Sequence, residues 1–324
     1  MARRYDSQTT IFSPEGRLHQ TEYAMEAICR SGAAVAIRTN DGIVIAGIKL
    51  ATHPLLEVTH EKIFKINSRT VCAVAGITSD SSTLIEYARD ISLEHSMVFD
   101  EEMPIENLVL EVCDLKQSFT QFGGLRPFGV SLLFAGWDDH FGFQLYQTVP
   151  SGSYGGWKGT AIGEKSEDII NYLKKGWKDI EEGQRKWIPV EPEIHDLQTD
   201  SDLQSDNTSS SMAVDSTSVS SQSAQIVSSN YASSSISQSK HVITKSLEWA
   251  VLVVLKSLIG SDCVDSFEDL NEKIEIMIIT KDEAKRKDEN ICMDYVSNAE
   301  LQEIMNNYKN WLTTREHFEV EEDE

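Results

Sequence analysis

The sequence predicts an α+β fold, a four-layer αββα sandwich of two antiparallel sheets, and three observations carry that prediction. Two β-branched runs, Ala33–Thr39 and Ile43–Leu50, are joined by Asn40-Asp41-Gly42, residues that tolerate positive φ and so close a hairpin. Amphipathic helical patterns come in pairs between pairs of strands, which disfavours the single alternation of a doubly wound parallel sheet. The chain has 324 residues, 40% hydrophobic and 25% charged, enough to bury a sizeable core.

Along the chain, Val71–Ala75 reads as a short strand. Leu84, Tyr87, Ala88 and Ile91 then fall at i, i+3, i+4 and i+7, one face of a helix that Ser79 or Asp80 is placed to cap. Ile105, Leu108, Val109, Val112 and Phe119 repeat the pattern, with Pro104 at the first turn and Gly123 past the end. Strands return at Val130–Trp137 and Phe143–Val149. Ile169, Ile170, Leu173 and Trp177 mark a third helix, and Leu247, Ala250, Val251, Val254, Leu255 and Leu258 a fourth. Ile274–Thr280 and Ile291–Val296 read as late strands, and Ser297-Asn298-Ala299-Glu300 has the form of a capping box opening a last helix.

Between the third and fourth helices, 187–239 carries seven acids and no Lys or Arg, and within it 203–239 is crowded with Ser, Gln, Asn and Thr and has no hydrophobic period. Such a stretch buries too little apolar area to offset its chain entropy, so it is expected to be a disordered insertion looping out at the surface. The expected organisation is therefore an N-terminal tail, turn and helix at 1–31, one domain made of 32–186 and 240–315, the insertion at 187–239, and an acidic tail at 316–324.

The formal net charge is −23. No basic face is in view for phosphate contacts, which argues against a nucleic-acid partner. The longest apolar run, Trp249–Leu255, is far short of the ~20 residues of a membrane helix, and the polar start does not resemble a secretory signal. Five cysteines without a C-x-x-C spacing, and histidines without metal-ligand spacing, predict buried thiols in a reducing compartment. No metal and no cofactor is expected, and the expected location is cytoplasm and nucleus.

The most specific stretch lies at the N-terminus. Ser13-Pro14-Glu15-Gly16 fits a type I turn, with Ser at i, Pro setting φ at i+1 and Gly at i+3. A short helix follows, opening in Arg17–Ala24 and ending near Gly32. The pattern Tyr5-x4-Thr10-x-Phe12-Ser13-Pro14-x-Gly16-Arg17-x2-Gln20-x-Glu22-Tyr23-Ala24 resembles the signature of the alpha subunits of the 20S proteasome. Glu61-Lys62-Ile63, Val74–Asp80 and Gln121–Ser131 extend the resemblance, which is close over 1–178 and weak over 243–312. Thr21 departs from it, standing where the family usually has an aliphatic residue. The Ser-rich insertion lies outside the family pattern.

The resemblance implies an N-terminal nucleophile hydrolase-like fold that is not catalytic. Active relatives need a Thr, Ser or Cys exposed as first residue so that its own amine serves as base, whereas the first strand here opens Gly32-Ala33-Ala34 and Thr160 lies mid-chain. It also implies a place in an outer hetero-heptameric ring, with neighbouring alpha subunits, the beta ring, and a regulatory particle or other activators as partners, in ubiquitin- and ATP-dependent protein degradation. Residues 1–8 would be a gate tail over the axial pore, with Tyr5, Asp6, Pro14 and Tyr23 forming the cluster that holds tails upright. Lys62 would line a pocket that receives the C-terminal carboxylate of an activator, with Gly32 and Ile77 at its floor. Arg126 reads instead as a brace for the loop before Phe128. Two rival readings differ in what they require: an active threonine hydrolase needs a Thr at a mature N-terminus, and a free-standing scaffold needs the Ser-rich segment to bind its clients.

Overall fold

The computed structural model describes residues 9–49, 61–186, 244–261, 263, 273–282, 291–304 and 306. The chain divides into two units, Met1–Trp187 with Ile243–Glu324, and Ile188–Val242. The second unit lies outside the described residues, as do the tail at 1–8 and the acidic stretch at 316–324.

The elements run α1 (His19–Ile28), β1 (Ala34–Arg38), β2 (Gly42–Ile48), β3 (Ile63–Lys65), β4 (Thr70–Gly76), α2 (Thr78–Phe99), α3 (Ile105–Gln121), β5 (Val130–Asp138), β6 (Gly142–Thr148), β7 (Tyr154–Gly156), β8 (Gly159–Ile162), α4 (Ser166–Lys186), α5 (Lys245–Gly260), β9 (Ile274–Lys281) and β10 (Ile291–Tyr295). A last helical stretch covers 298–304. One sheet has the order β10-β9-β2-β1-β8 and the other β3-β4-β5-β6-β7, with antiparallel pairing throughout.

Because side chains alternate across a strand, each sheet feeds two cores. Ala34, Ala36, Ile43, Ile45 and Met277 of the first sheet meet Val71, Ala73, Ala75, Leu133 and Ala135 of the second in the layer between them. Alanines there interleave with isoleucine, leucine and methionine. The opposite faces pack on the helices. Val35, Ile37, Val44 and Ile276 pack on α4 and α5 through Leu173, Leu247, Val251 and Leu255. Cys72, Leu132 and Phe134 pack on α2 and α3 through Leu84, Leu108 and Val112. Each fully buried large side chain of this kind contributes about 1.5–3 kcal/mol.

The fold class and the strand and helix pairs expected from the sequence are present, with ends shifted by a residue or two. Two short strands were not expected: β3, with three residues, and β7, whose glycines weaken the alternating signal. The expected caps of α2 are corrected. Its N-cap is Ile77 and makes no side-chain cap hydrogen bond, because β4 runs directly into the helix and the Ile77 N–H is held by the Gly129 carbonyl at 3.0 Å. The capping box at Ser297 is formed, with Ser297 N–H donating to Glu300 Oε2 at 2.8 Å and Glu300 N–H to Ser297 Oγ at 3.3 Å.

Candidate functional site

Two places on the sandwich hold the residues singled out by the sequence. The first is the turn that precedes α1. Gly16 N–H donates to the Ser13 carbonyl at 2.8 Å, the i to i+3 bond of a β-turn, and Gly16 takes φ +78°, which a side chain would strain. Ser13 is tied twice more: its N–H reaches the Arg17 carbonyl at 2.9 Å and its Oγ accepts from Arg17 N–H at 3.1 Å. These bonds draw Arg17 into the turn, so the helix starts at His19 rather than at Arg17. Arg17 then reaches forward to Glu22 in a two-point pair at 2.6 and 2.8 Å, locking turn to helix.

Pro14 stands exposed at the turn, and Tyr23 is half exposed on α1 with its ring stacked 6.3 Å from that of His19. Tyr5 and Asp6 lie outside the described residues. Thr21 does not leave a polar group stranded in the helix: its hydroxyl donates to the Leu18 carbonyl at 2.7 Å, supplying an acceptor of the first turn with a partner.

The second place is the end of the sandwich where α1 passes into β1. Lys62, just before β3, places its Nζ 3.4 Å from the carbonyl of Gly32, so two of the three residues expected in the pocket are brought together. Burial lowers the Lys62 pKa, and the nearby Glu275 carboxylate works against that shift. Glu275 also accepts the Lys62 backbone N–H at 2.8 Å and sits 3.4 Å from Lys49 Nζ. Gly47 in β2 is needed for this packing, because a Cβ there would come within 2.7 Å of Lys62 Cβ. Ile77 follows β4, whose Val74 N–H donates to the Lys62 carbonyl at 3.1 Å; the Ile77 N–H donates to the Gly129 carbonyl at 3.0 Å.

Arg126 fulfils the bracing role expected of it and reaches further than its own loop. Its guanidinium grips Asp80 at 2.6 and 2.8 Å, and Asp80 Oδ2 also accepts the Gly129 N–H at 3.0 Å. The hydrogen bond from Arg126 holds the Asp80 carboxyl below the usual range. Two motif segments far apart in sequence, Val74–Asp80 and Gln121–Ser131, are thereby fastened at the start of α2.

Glu275 and Lys49 escaped the sequence reading. The available signal was Glu275 itself, a lone acid inside the apolar run Ile274–Ile279, which needs a cation when buried. Thr160 is sealed within β8 opposite Ala36, and its hydroxyl donates to Gln147 Oε1 at 2.7 Å. Among the described residues no group of three or more His, Cys, Asp or Glu side chains is placed to hold a metal ion, and no helix is long and apolar enough to cross a membrane.

A sandwich of two five-stranded antiparallel sheets between helix pairs, entered through a bonded turn and a short helix, defines a protein of the N-terminal nucleophile hydrolase-like class with an alpha-type extension. The family described as Proteasome subunit matches residues 29–185, and the N-terminal signature of A-type proteasome subunits matches 5–27. The chain is 55% identical over 181 residues to the proteasome alpha type-4-A subunit of Arabidopsis thaliana, covering 55% of this chain and 72% of that one. Against the proteasome alpha type-4 subunit of Dictyostelium discoideum the identity is 56% over 182 residues, covering 55% and 73%. The chain belongs to the proteasome subunit family, as one of its alpha-type members.

Proposed function

We propose that this chain is a non-catalytic alpha subunit of the 20S proteasome core particle, seated in the outer ring between other alpha subunits and against the beta ring. The observation that carries the reading is the N-terminal arm: the alpha-type signature covers 5–27, and 13–28 form a bonded turn and helix outside the sheet pairing. In this reading residues 1–8 gate substrate entry, and Tyr5, Asp6, Pro14 and Tyr23 steady the open gate. The absence of catalysis rests on Ala33 and Ala34 at the opening of β1 and on the sealed hydroxyl of Thr160.

The Lys62 amine beside the Gly32 carbonyl is suited to receive a carboxylate, because burial weakens solvent screening and the nearby Glu275 favours the charged form. We assign it the C-terminus of an activator tail, with Ile77 further along the same edge. The sandwich of 32–186 and 240–315 is the assembling body, and 187–239 is an insertion in its sequence. The particle is placed in cytoplasm and nucleus, in ubiquitin- and ATP-dependent degradation.

The test is deletion of residues 1–8 in a particle assembled with this chain. The reading predicts faster hydrolysis of a small fluorogenic peptide by the resting particle, with less further gain on adding an activator. An unchanged resting rate in a correctly assembled particle would contradict the gate role.

A further inference from the structure

Among the described residues, β3 pairs with β4 alone and forms the edge of its sheet. An edge strand presents backbone groups that have no ladder partner. At this edge, side chains bridge to β9 and β10 of the other sheet. Tyr295 OH donates to the Ile63 carbonyl at 3.2 Å, and Lys65 Nζ donates to the Met293 carbonyl at 2.9 Å. The third bridge acts on Lys62, whose N–H donates to Glu275 Oε2 at 2.8 Å.

Lys62 is therefore held from both sheets. Its carbonyl accepts the Val74 N–H at 3.1 Å within its own sheet, and its N–H is taken by Glu275 from the other. Glu275 stands opposite Gly47 in the β2–β9 ladder, and the Lys62 Cβ lies directly over that glycine. From this fixed start the side chain runs to place its Nζ 3.4 Å from the Gly32 carbonyl. Glu275 is itself fixed: its side chain is 8% exposed, and its Oε2 is 3.4 Å from Lys49 Nζ. Tyr295 stands beside it, and burial, followed by the Glu275 and Glu61 carboxylates, pushes that phenol up to about 12. A buried carboxylate that is ion-paired and also bonded to one particular amide limits where that amide can lie.

We propose that Glu275 is the positioning residue of the Lys62 pocket: its carboxylate fixes the backbone from which Lys62 extends, and so sets the point at which the ammonium meets a docking carboxylate. The inference rests on the reading that Lys62 receives the C-terminus of an activator tail. A binding group must be held within about 0.5 Å of its productive place, and the flexible stem of a lysine does not supply that alone. Glu275 supplies it from 213 residues away in the sequence, without itself touching the ligand. What matters at this position is the acceptor oxygen that holds the Lys62 amide, more than the charge.

The test is photo-cross-linking on the assembled particle containing this chain, with a synthetic C-terminal peptide of an activator subunit that carries a benzophenone. The labelled fraction of this chain, separated from the other subunits by denaturing mass spectrometry, gives its own half-saturation concentration. Glu275→Met and Glu275→Leu fill the space without an acceptor, whereas Glu275→Gln keeps one, and native mass verifies that each variant particle is assembled. The expected result is a half-saturation raised about fivefold in the Met and Leu variants and within about twofold of wild type in Glu275→Gln. In a Lys62→Ala background, which weakens docking by itself, Glu275→Met should add no further loss, because both changes act on one contact. Unchanged docking in the assembled Met and Leu variants, an equal loss in Glu275→Gln, or a full additional loss on top of Lys62→Ala would overturn the proposal. A Lys62→Ala particle that docks the peptide as wild type does would overturn the reading of the pocket itself, and the proposal with it.

Discussion

Two lysines of this molecule occupy opposite kinds of surroundings. Lys116 of α3 is completely buried between that helix and the second sheet, where its Nζ donates to the Val130 carbonyl at 3.0 Å and to Thr148 Oγ1 at 2.9 Å. Lys62 is only half-buried at the open end of the sandwich, with Gly32 on one side and Glu275 on the other. Burial lowers both, Lys116 from 10.5 to about 8. The sealed amine has neutral partners and no carboxylate, so its shift is a constraint on folding. The open amine has a carboxylate nearby that favours its charged form, and it is exposed enough to be reached by an incoming anion. A depressed lysine is therefore no sign of function until the route to it is known.

The largest effect that would sharpen this contrast is at the sealed site. Lys116→Ala leaves a void among Cys72, Cys113, Val112 and Leu132 and is expected to lower the unfolding free energy by about 3 kcal/mol in urea titration. Lys116 itself should contribute stability that grows as pH rises, read as the difference between wild type and Lys116→Met because the buried Cys72 and Cys113 thiols, held above their usual range, act in the opposite direction. Between about 8, where the folded amine loses its proton, and 10.5, where the unfolded one does, the unfolded state binds more protons. The gain is about 3 kcal/mol, already absent below pH 8 where both states are charged. Lys116→Met removes the titrating group, so the variant's stability curve should lack that rise.

At the open site the expected effect is on binding. Lys62→Ala should weaken docking of an activator's C-terminal peptide at least about tenfold, while the unfolding free energy changes by less than about 1 kcal/mol. Equal binding by the variant would break the contrast. Asp80→Asn is smaller again. It removes the two-point grip of Arg126, whose half-exposed side chain discounts the pair, and should cost about 1 kcal/mol. Because the folded pKa of Asp80 is depressed, its stabilisation is present at neutral pH and is lost as pH falls through that lowered value. Glu22→Gln is expected to leave the melting temperature unchanged, since the Arg17 pair is solvent-exposed.

Much of this was legible in the sequence because it is local. The β1–β2 hairpin follows from Asn40-Asp41-Gly42, the α3 face from Ile105 to Phe119, the entry turn from Ser13 to Gly16, and the last helix from the box at Ser297. What escaped is non-local. β3 and β7 are three residues long and are strands only because a neighbour offers an edge. Asp80 reads as a cap from its position, yet its partner Arg126 is 46 residues away, and Glu275 is 213 residues from the Lys62 amide it accepts. Lys116 gives no warning at all, since a lysine beside Leu115 and Gln117 reads as the polar face of an amphipathic helix until the β5–β6 layer closes over it. The candidate site is partly in this position too: Lys62 meets Gly32 as expected, while Tyr5 and Asp6 lie outside the described residues.

The most direct measurement is native mass spectrometry of the complex purified through a tagged copy of this full chain, followed by peptidase assays on the complex and on the separated chain. The account predicts a large particle holding this chain with other alpha subunits and beta subunits, active as a whole while the separated chain is inert. A small assembly without beta subunits, or hydrolysis by the chain alone, would contradict it.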